Sequence, residues 1–118
     1  MIQINNTENE NLISAIISGE ITKEDVGKIH SLIHKIIAKG KKADFYFEMK
    51  DFEGYTLEGL WEDIKVDGSH ISDYGKMAFV GEKKWQEWVI KATDFFTSSE
   101  VKYFDVDDRI NALRWINN

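Results

Sequence analysis

Cysteine and proline are both absent from this 118-residue sequence. Without thiols there are no disulfides, no thiolate metal ligands and no cysteine nucleophile, a composition that fits the cytoplasm. Without proline no turn is set by a rigid ring, so the eight glycines must shape the sharp ones. No apolar run approaches the roughly 18 residues of a membrane-spanning helix. The opening MIQINNTENE is polar rather than charged-then-apolar, so neither a bilayer crossing nor export by a signal peptide is expected. Positive charge is also scarce. Fifteen Lys and Arg against 21 Asp and Glu leave a net charge of −6, which argues against a nucleic-acid partner because phosphate neutralisation needs a concentrated basic face. The group KGKK at 39–42 reads as a solvated helix end. There is no GxSxG elbow, Walker loop or GxGxxG, and no fixed-period repeat or linker.

What is present describes a soluble domain spanning residues 1–118, with 42% apolar and 31% charged residues. Aromatics reach 13% and include four tryptophans, a large supply of burial area for so short a chain. MIQI (1–4) and NLISAIIS (11–18) are β-branched and flank the polar NNTENEN, which predicts a hairpin. Val26, Ile29, Ile33, Ile36 and Ile37 then recur at helical spacing, started by Thr22 or by Glu24 and Asp25 and stopped by Gly40. ADFYFEM (43–49) alternates as a half-covered or central strand does. Leu57, Leu60, Trp61 and Ile64 predict a second helix that Thr56 can cap, VDGSHISDYG (66–75) an irregular stretch, and KMAFVG (76–81) an apolar strand. A third helix turns Trp85, Trp88, Val89, Ala92 and Phe96 inward. VKYFD (101–105) is the last strand, and Asp105 with Asp108 should cap a closing helix whose Ile110, Leu113 and Ile116 face inward. The order β-β-α-β-α-β-α-β-α predicts an α/β fold with a mixed, mainly parallel sheet of about five strands, an antiparallel edge strand and about four helices.

GEIT (19–22), DFEG (51–54), LWED (60–63), MAFVG (77–81), KWQEW (84–88) and YFD…A…W (103–115), in this order along nearly the whole chain, resemble the SpoIIAA-like branch of the STAS/SEC14-type domains. The resemblance implies a small, non-catalytic α/β domain of the anti-sigma-factor-antagonist shape. It carries a related suggestion of apolar-ligand binding from the SEC14 (CRAL-TRIO) lipid carriers, and a homodimer is compatible with the family shape. In the antagonists a serine at the start of the helix after the third strand is phosphorylated, usually within an Asp-Ser pair. The matching junction here is Asp51-Phe52-Glu53-Gly54-Tyr55-Thr56, where Thr56 offers the only hydroxyl at that position and the Asp-Ser pair is absent.

DFEGYT is therefore open to two readings. As a joint, Gly54 turns the chain, Thr56 caps the helix and Phe52 packs on the core. As a site, it lies beyond the carboxyl end of a strand, where ligands of open α/β sheets settle, and offers acceptors, aromatic faces and helix amides together. Lys83 and Lys84 follow the next strand and oppose the dipole of the helix they begin, so they either point into water or meet an anion. The expected ligand-binding residues are Phe52, Tyr55, Trp61, Lys83, Lys84, Trp85 and Trp88, in a crevice bounded by 51–56, 66–75 and 81–88, with Thr56 as the candidate phosphosite. The tryptophans could equally fill the core, or form an exposed membrane-surface or dimer patch. His30 and His34 stand four apart, as two metal ligands can, but flank the isoleucine stripe as edge-of-core residues do. Ser69, His70 and Asp73 have the residue types of a hydrolase triad without its geometry. The expected function is non-enzymatic binding of a small apolar or lipid-like, anionic-headed ligand, without cofactor or metal. A partner-switching protein-interaction module is the alternative, and a hydrolase a third.

Overall fold

The computed structural model describes residues 1–53, 74–82 and 99–117, the side chains of 51–53 excepted. Strands β1 (Ile2–Asn5) and β2 (Leu12–Glu20) form the expected antiparallel pair, with Ile2 opposite Ile17. Their connecting loop folds on its own side chains: Thr7 Oγ1 accepts the Asn9 amide at 2.9 Å and Asn9 Oδ1 accepts the Asn11 amide at 3.0 Å, as short polar residues do in turns.

Helix α1 (Lys23–Ala38) opens on a reciprocal cap, in which Thr22 Oγ1 accepts the Asp25 amide at 3.2 Å and the Asp25 carboxylate accepts the Thr22 amide at 3.0 Å. Thr22 is thus the cap, and losing such a residue typically costs about 1 kcal/mol. At the other end Gly40 adopts φ 75°, which lets its amide reach the Ile37 carbonyl at 2.8 Å and the Lys41 amide reach that of Ile36 at 3.4 Å. This left-handed stop is strained for a residue with a Cβ.

Strands β3 (Ala43–Glu53), β4 (Tyr74–Gly81) and β5 (Val101–Asp105) complete a sheet ordered β1-β2-β3-β4-β5, parallel from β2 onward. The expected mixed, mainly parallel sheet with one antiparallel edge is what forms. Val26, Ile29, Ile33 and Ile36 of α1 cover one face, against Ile13, Ala15, Ile17, Phe45, Phe47 and Phe79. Rings tie β3 and β4 together there, Phe45 to Phe47 and to Tyr74 at 5.4 Å and Phe47 to Phe79 at 5.7 Å, and each fully buried side chain stabilises by about 1.5–3 kcal/mol. On the other face lies α2 (Arg109–Ile116), with Ala112 and Ile116 against Leu12, Tyr46, Ala78 and Val80. The two further helices expected around Leu57–Ile64 and Trp85–Phe96 lie outside the described residues.

Three expectations need correction. Tyr74 and Gly75 belong to β4 and not to an irregular stretch, because the Tyr74 ring is fully buried edge-on to Phe45. Asp51, Phe52 and Glu53 are strand and not turn, with Phe52 opposite Gly19 and Glu53 opposite Glu20 beyond an irregularity that adds one residue to β3. That extra residue interrupts the alternation on which the expected end at Met49 rested. Finally, Ile110 and Leu113 are 67% and 38% exposed. Ala112 and Ile116 are the buried residues of the helix, and Arg109, itself 47% exposed, reaches Glu48 from its first turn. Asp105 caps a 3₁₀ turn (Val106–Asp108) through the Val106 amide, while Asp108 makes no side-chain cap.

The register of β4 depends on one carboxylate. Ala43 faces Tyr74 but Phe45 faces Met77, so β4 carries one extra residue there. Asp44 Oδ1 accepts the Lys76 amide at 2.8 Å within this bulge. A Cβ on Gly75 would lie 2.1 Å from the same oxygen. The bulge places Val80 opposite Glu48 at the far end of the pair.

Candidate functional site

Parallel strands bring their carboxyl ends to one rim, here Glu20, Glu53, Gly81 and Asp105. β3 outruns β4: Glu48 pairs with Val80, and β3 continues to Glu53 whereas β4 stops at Gly81. The step left between them is overhung by the start of α2. The result is an open crevice of about 290 Å³ lined by Glu48, Met49, Lys50, Val80, Gly81, Glu82, Val106 and Arg109.

Alternation places Tyr46, Glu48 and Lys50 on the α2 side of β3. The Tyr46 hydroxyl donates to Glu48 Oε1 at 2.8 Å, and Arg109 Nε stands 2.9 Å from the same oxygen. The Glu48 side chain is only 15% exposed and that of Arg109 47%, so a mostly buried carboxylate is compensated by a guanidinium that reaches from the crevice. Burial pushes the Tyr46 phenol well above the ordinary tyrosine range, and the hydrogen bond to Glu48 and the Glu48 charge push it further, against a smaller opposing pull from Arg109. It is a fixed donor at neutral pH. Tyr103 ties β5 to the rim by donating to the Gly81 carbonyl at 2.9 Å. Its phenol too is raised, by burial first and then by the Asp105 and Glu82 charges.

Sequence reasoning expected a crevice at this end of the sheet, and the strand ends that precede Gly54 and Lys83 do share this rim. Of the expected ligand-binding residues, only the backbone of Phe52 is described. Its side chain and Tyr55, Trp61, Lys83, Lys84, Trp85 and Trp88 lie outside the described residues, as do Thr56, Ser69, His70 and Asp73. The third expected boundary belongs elsewhere: Tyr74 and Gly75, the described end of 66–75, stand at the amino-terminal end of β4 opposite Ala43. His30 and His34 lie on α1 half-buried and exposed, and among the described residues no group of three or more His, Asp or Glu could hold a metal ion. Sequence reasoning missed Glu48, Lys50 and Arg109. A signal existed, since a Glu inside an otherwise apolar strand covered on both faces requires a cation, and Arg109 is one of only two arginines.

Among the described residues no helix is long and apolar enough to cross a membrane. No curated protein matches the chain. An uncharacterised protein from Shewanella loihica, whose crystal structure has a SpoIIAA-like fold, is similar in fold with a TM-score of 0.69 at 24% identity, over 98% of this chain and 92% of that one. The profile of the SpoIIAA-like family matches residues 12–117, from β2 through both described helices and every residue of the crevice, and the chain belongs to that family.

Proposed function

We propose that this STAS-type domain is a non-catalytic binding module that takes a small amphipathic ligand with an acidic head at the carboxyl-terminal rim of its sheet. The observation that carries the reading is the crevice itself, where Lys50 and Arg109 stand beside Met49, Val80 and Val106. Guanidinium presents five N–H donors, and those that Glu48 and Tyr46 leave unused are available to a carboxylate or phosphate. About 290 Å³ is at the lower edge of the roughly 300–1,000 Å³ of small-molecule pockets, which favours a short acyl or aromatic acid over a long-chain lipid for this part of the site. Lys83 and Lys84 follow Glu82 in the chain and would add positive charge, and Phe52, Tyr55, Trp61, Trp85 and Trp88 apolar contact. A phenol held protonated and a carboxylate held by a guanidinium suit holding a ligand better than moving protons. A cytoplasmic site of action belongs to this reading, since the chain has no thiol to oxidise.

Titration of the labelled protein with octanoate, and separately with inorganic phosphate, tests it by amide shifts. Octanoate is expected to move the signals of Lys50, Val80 and Gly81, and Arg109→Gln to weaken it about tenfold, the loss of one charge-assisted contact. Response to phosphate alone would reduce the ligand to its head group. Silence toward both, with purified protein empty in native mass spectra and after lipid extraction, would remove the reading. Family membership favours a second one, a partner-switching module with Thr56 at its contact. Pull-down from cell extract with the wild type and with Thr56→Asp decides it: identical partners exclude a switch at that residue.

A further inference from the structure

The outward side of α2 is apolar where a helix lying on a sheet is ordinarily polar. Val106, Ile110 and Leu113 are 41%, 67% and 38% exposed; Ile110 and Leu113 are three apart and adjacent on the helix surface, and Val106 precedes them in the 3₁₀ turn. Ala112 and Ile116 hold the helix to the sheet, with Leu113 at the margin between the buried and the exposed side. Charge along this segment is ordered as well, with Asp107 and Asp108 at the amino end and Arg114 in the last turn. None of the three forms an ion pair with another described residue. The helix dipole accounts for those charges taken alone, but not for three apolar side chains left in water.

We propose that this face is the contact surface of a two-fold symmetric homodimer in which two copies of α2 lie antiparallel. A helix that is acidic at one end and basic at the other is complementary to its own reversed copy. Setting Asp107 against Arg114 of the second copy puts the axis between Ile110 and Asn111, while packing Ile110 on Leu113 of the second copy puts it between Asn111 and Ala112. The two positions differ by one residue, about 1.5 Å along the helix, so a single arrangement satisfies both, and the two-fold repeats each contact. An eight-residue helix covers less than the roughly 800 Å² per partner of a stable interface, so the dimer is weak and concentration-dependent. An anionic membrane or a nucleic acid is the poorer occupant, because Asp107 and Asp108 border the stripe. Val106 also lines the crevice, which puts the second copy beside its mouth.

Sedimentation of the full chain from about 10 µM to about 1 mM reads the equilibrium as a free energy. Wild type is expected to shift from monomer to dimer across that range, and Leu113→Asp to stay monomeric. Asp107→Arg and Arg114→Asp should each weaken the dimer about tenfold, because each reverses two symmetry-related pairs. Mixed together, those two variants should associate as tightly as wild type, since each then supplies the charge the other needs. All substituted positions are exposed, and far-UV circular dichroism confirms folding of each variant. A wild type that remains monomeric throughout, a dimer indifferent to these substitutions, a mixture that fails to recover, or binding to anionic vesicles in place of self-association would overturn the proposal.

Discussion

Two carboxylates on β3 stand four residues apart on the same side of the sheet and are used in opposite ways. At the amino-terminal rim Asp44 accepts a main-chain amide, that of Lys76, inside a bulge closed over by Gly75. At the carboxyl-terminal rim Glu48 accepts only from side chains, Tyr46 and Arg109, one of them half in solvent. The first arrangement fixes the backbone and hence the register of β4. The second leaves the backbone alone and ends in groups that can change rotamer. One rim is therefore held through main-chain groups and the other through side chains, and the crevice lies at the second.

The sharpest way to break that contrast is Gly75→Ala. Its Cβ would force the Asp44 carboxylate off the Lys76 amide, and the clash together with the loss of this part-buried hydrogen bond is expected to cost about 2 kcal/mol in urea unfolding. The double variant Asp44→Gly with Gly75→Ala should cost less than the sum of the two single changes, because the clash and the hydrogen bond involve the same oxygen. Glu48→Gln is the matching change at the other rim. Gln keeps an acceptor for Tyr46 and loses only charge, so about 1 kcal/mol is expected. The Tyr46 phenol, followed by NMR of its ring, should then titrate at lower pH, since the Glu48 charge is one of the influences holding it up. Equal losses from Gly75→Ala and Glu48→Gln would erase the difference between the rims.

The frame of the molecule was legible because it is written in periods. VKYFD coincides with β5, the isoleucine spacing of α1 survives, and of the two starts left open the structure takes Thr22, since alternation and helical spacing depend on neighbours in the chain. The site was not, because Glu48 and Arg109 meet from distant segments and no spacing rule joins them. Ile110 and Leu113 show the cost of treating apolar as inward: the buried positions of α2 are Ala112 and Ile116, and the first turn gives Arg109 to an ion pair with Glu48. The bulges near Asp44 and Lys50 hide for the same reason, each depending on its partner strand.

Arg109→Gln separates stability from binding at the open rim. Because the Arg109 side chain is 47% exposed, its pair with Glu48 is partly screened, and less than about 1 kcal/mol of stability should be lost. The same change is expected to weaken octanoate about tenfold. A variant that loses several kcal/mol while binding as before would make Arg109 a structural residue like Asp44, and the two rims alike.

The smallest effect expected is one of pH, and it contrasts Asp44 with the cap of α1. Burial raises the Asp44 carboxyl above 3.8 despite the Lys76 amide and the Lys76 charge. Its protonated form is therefore favoured by folding, so its contribution is complete below the unfolded value and is lost as pH rises through the folded one. Burial would also raise Asp25, but hydrogen bonds from the Thr22 amide and hydroxyl and the Ile2 backbone, with the terminal ammonium, outweigh it and leave the carboxyl below 3.8. Its contribution is present above the unfolded value and is lost as pH falls through the folded one. Asp44→Asn should accordingly compare better with wild type as pH rises from about 3 to about 6, and Asp25→Asn worse, in urea unfolding across that range. Parallel trends in the two variants would mean that the Asp44 carboxylate is stabilised by the bulge it closes, and that the amino-terminal rim is held by charge rather than by fit.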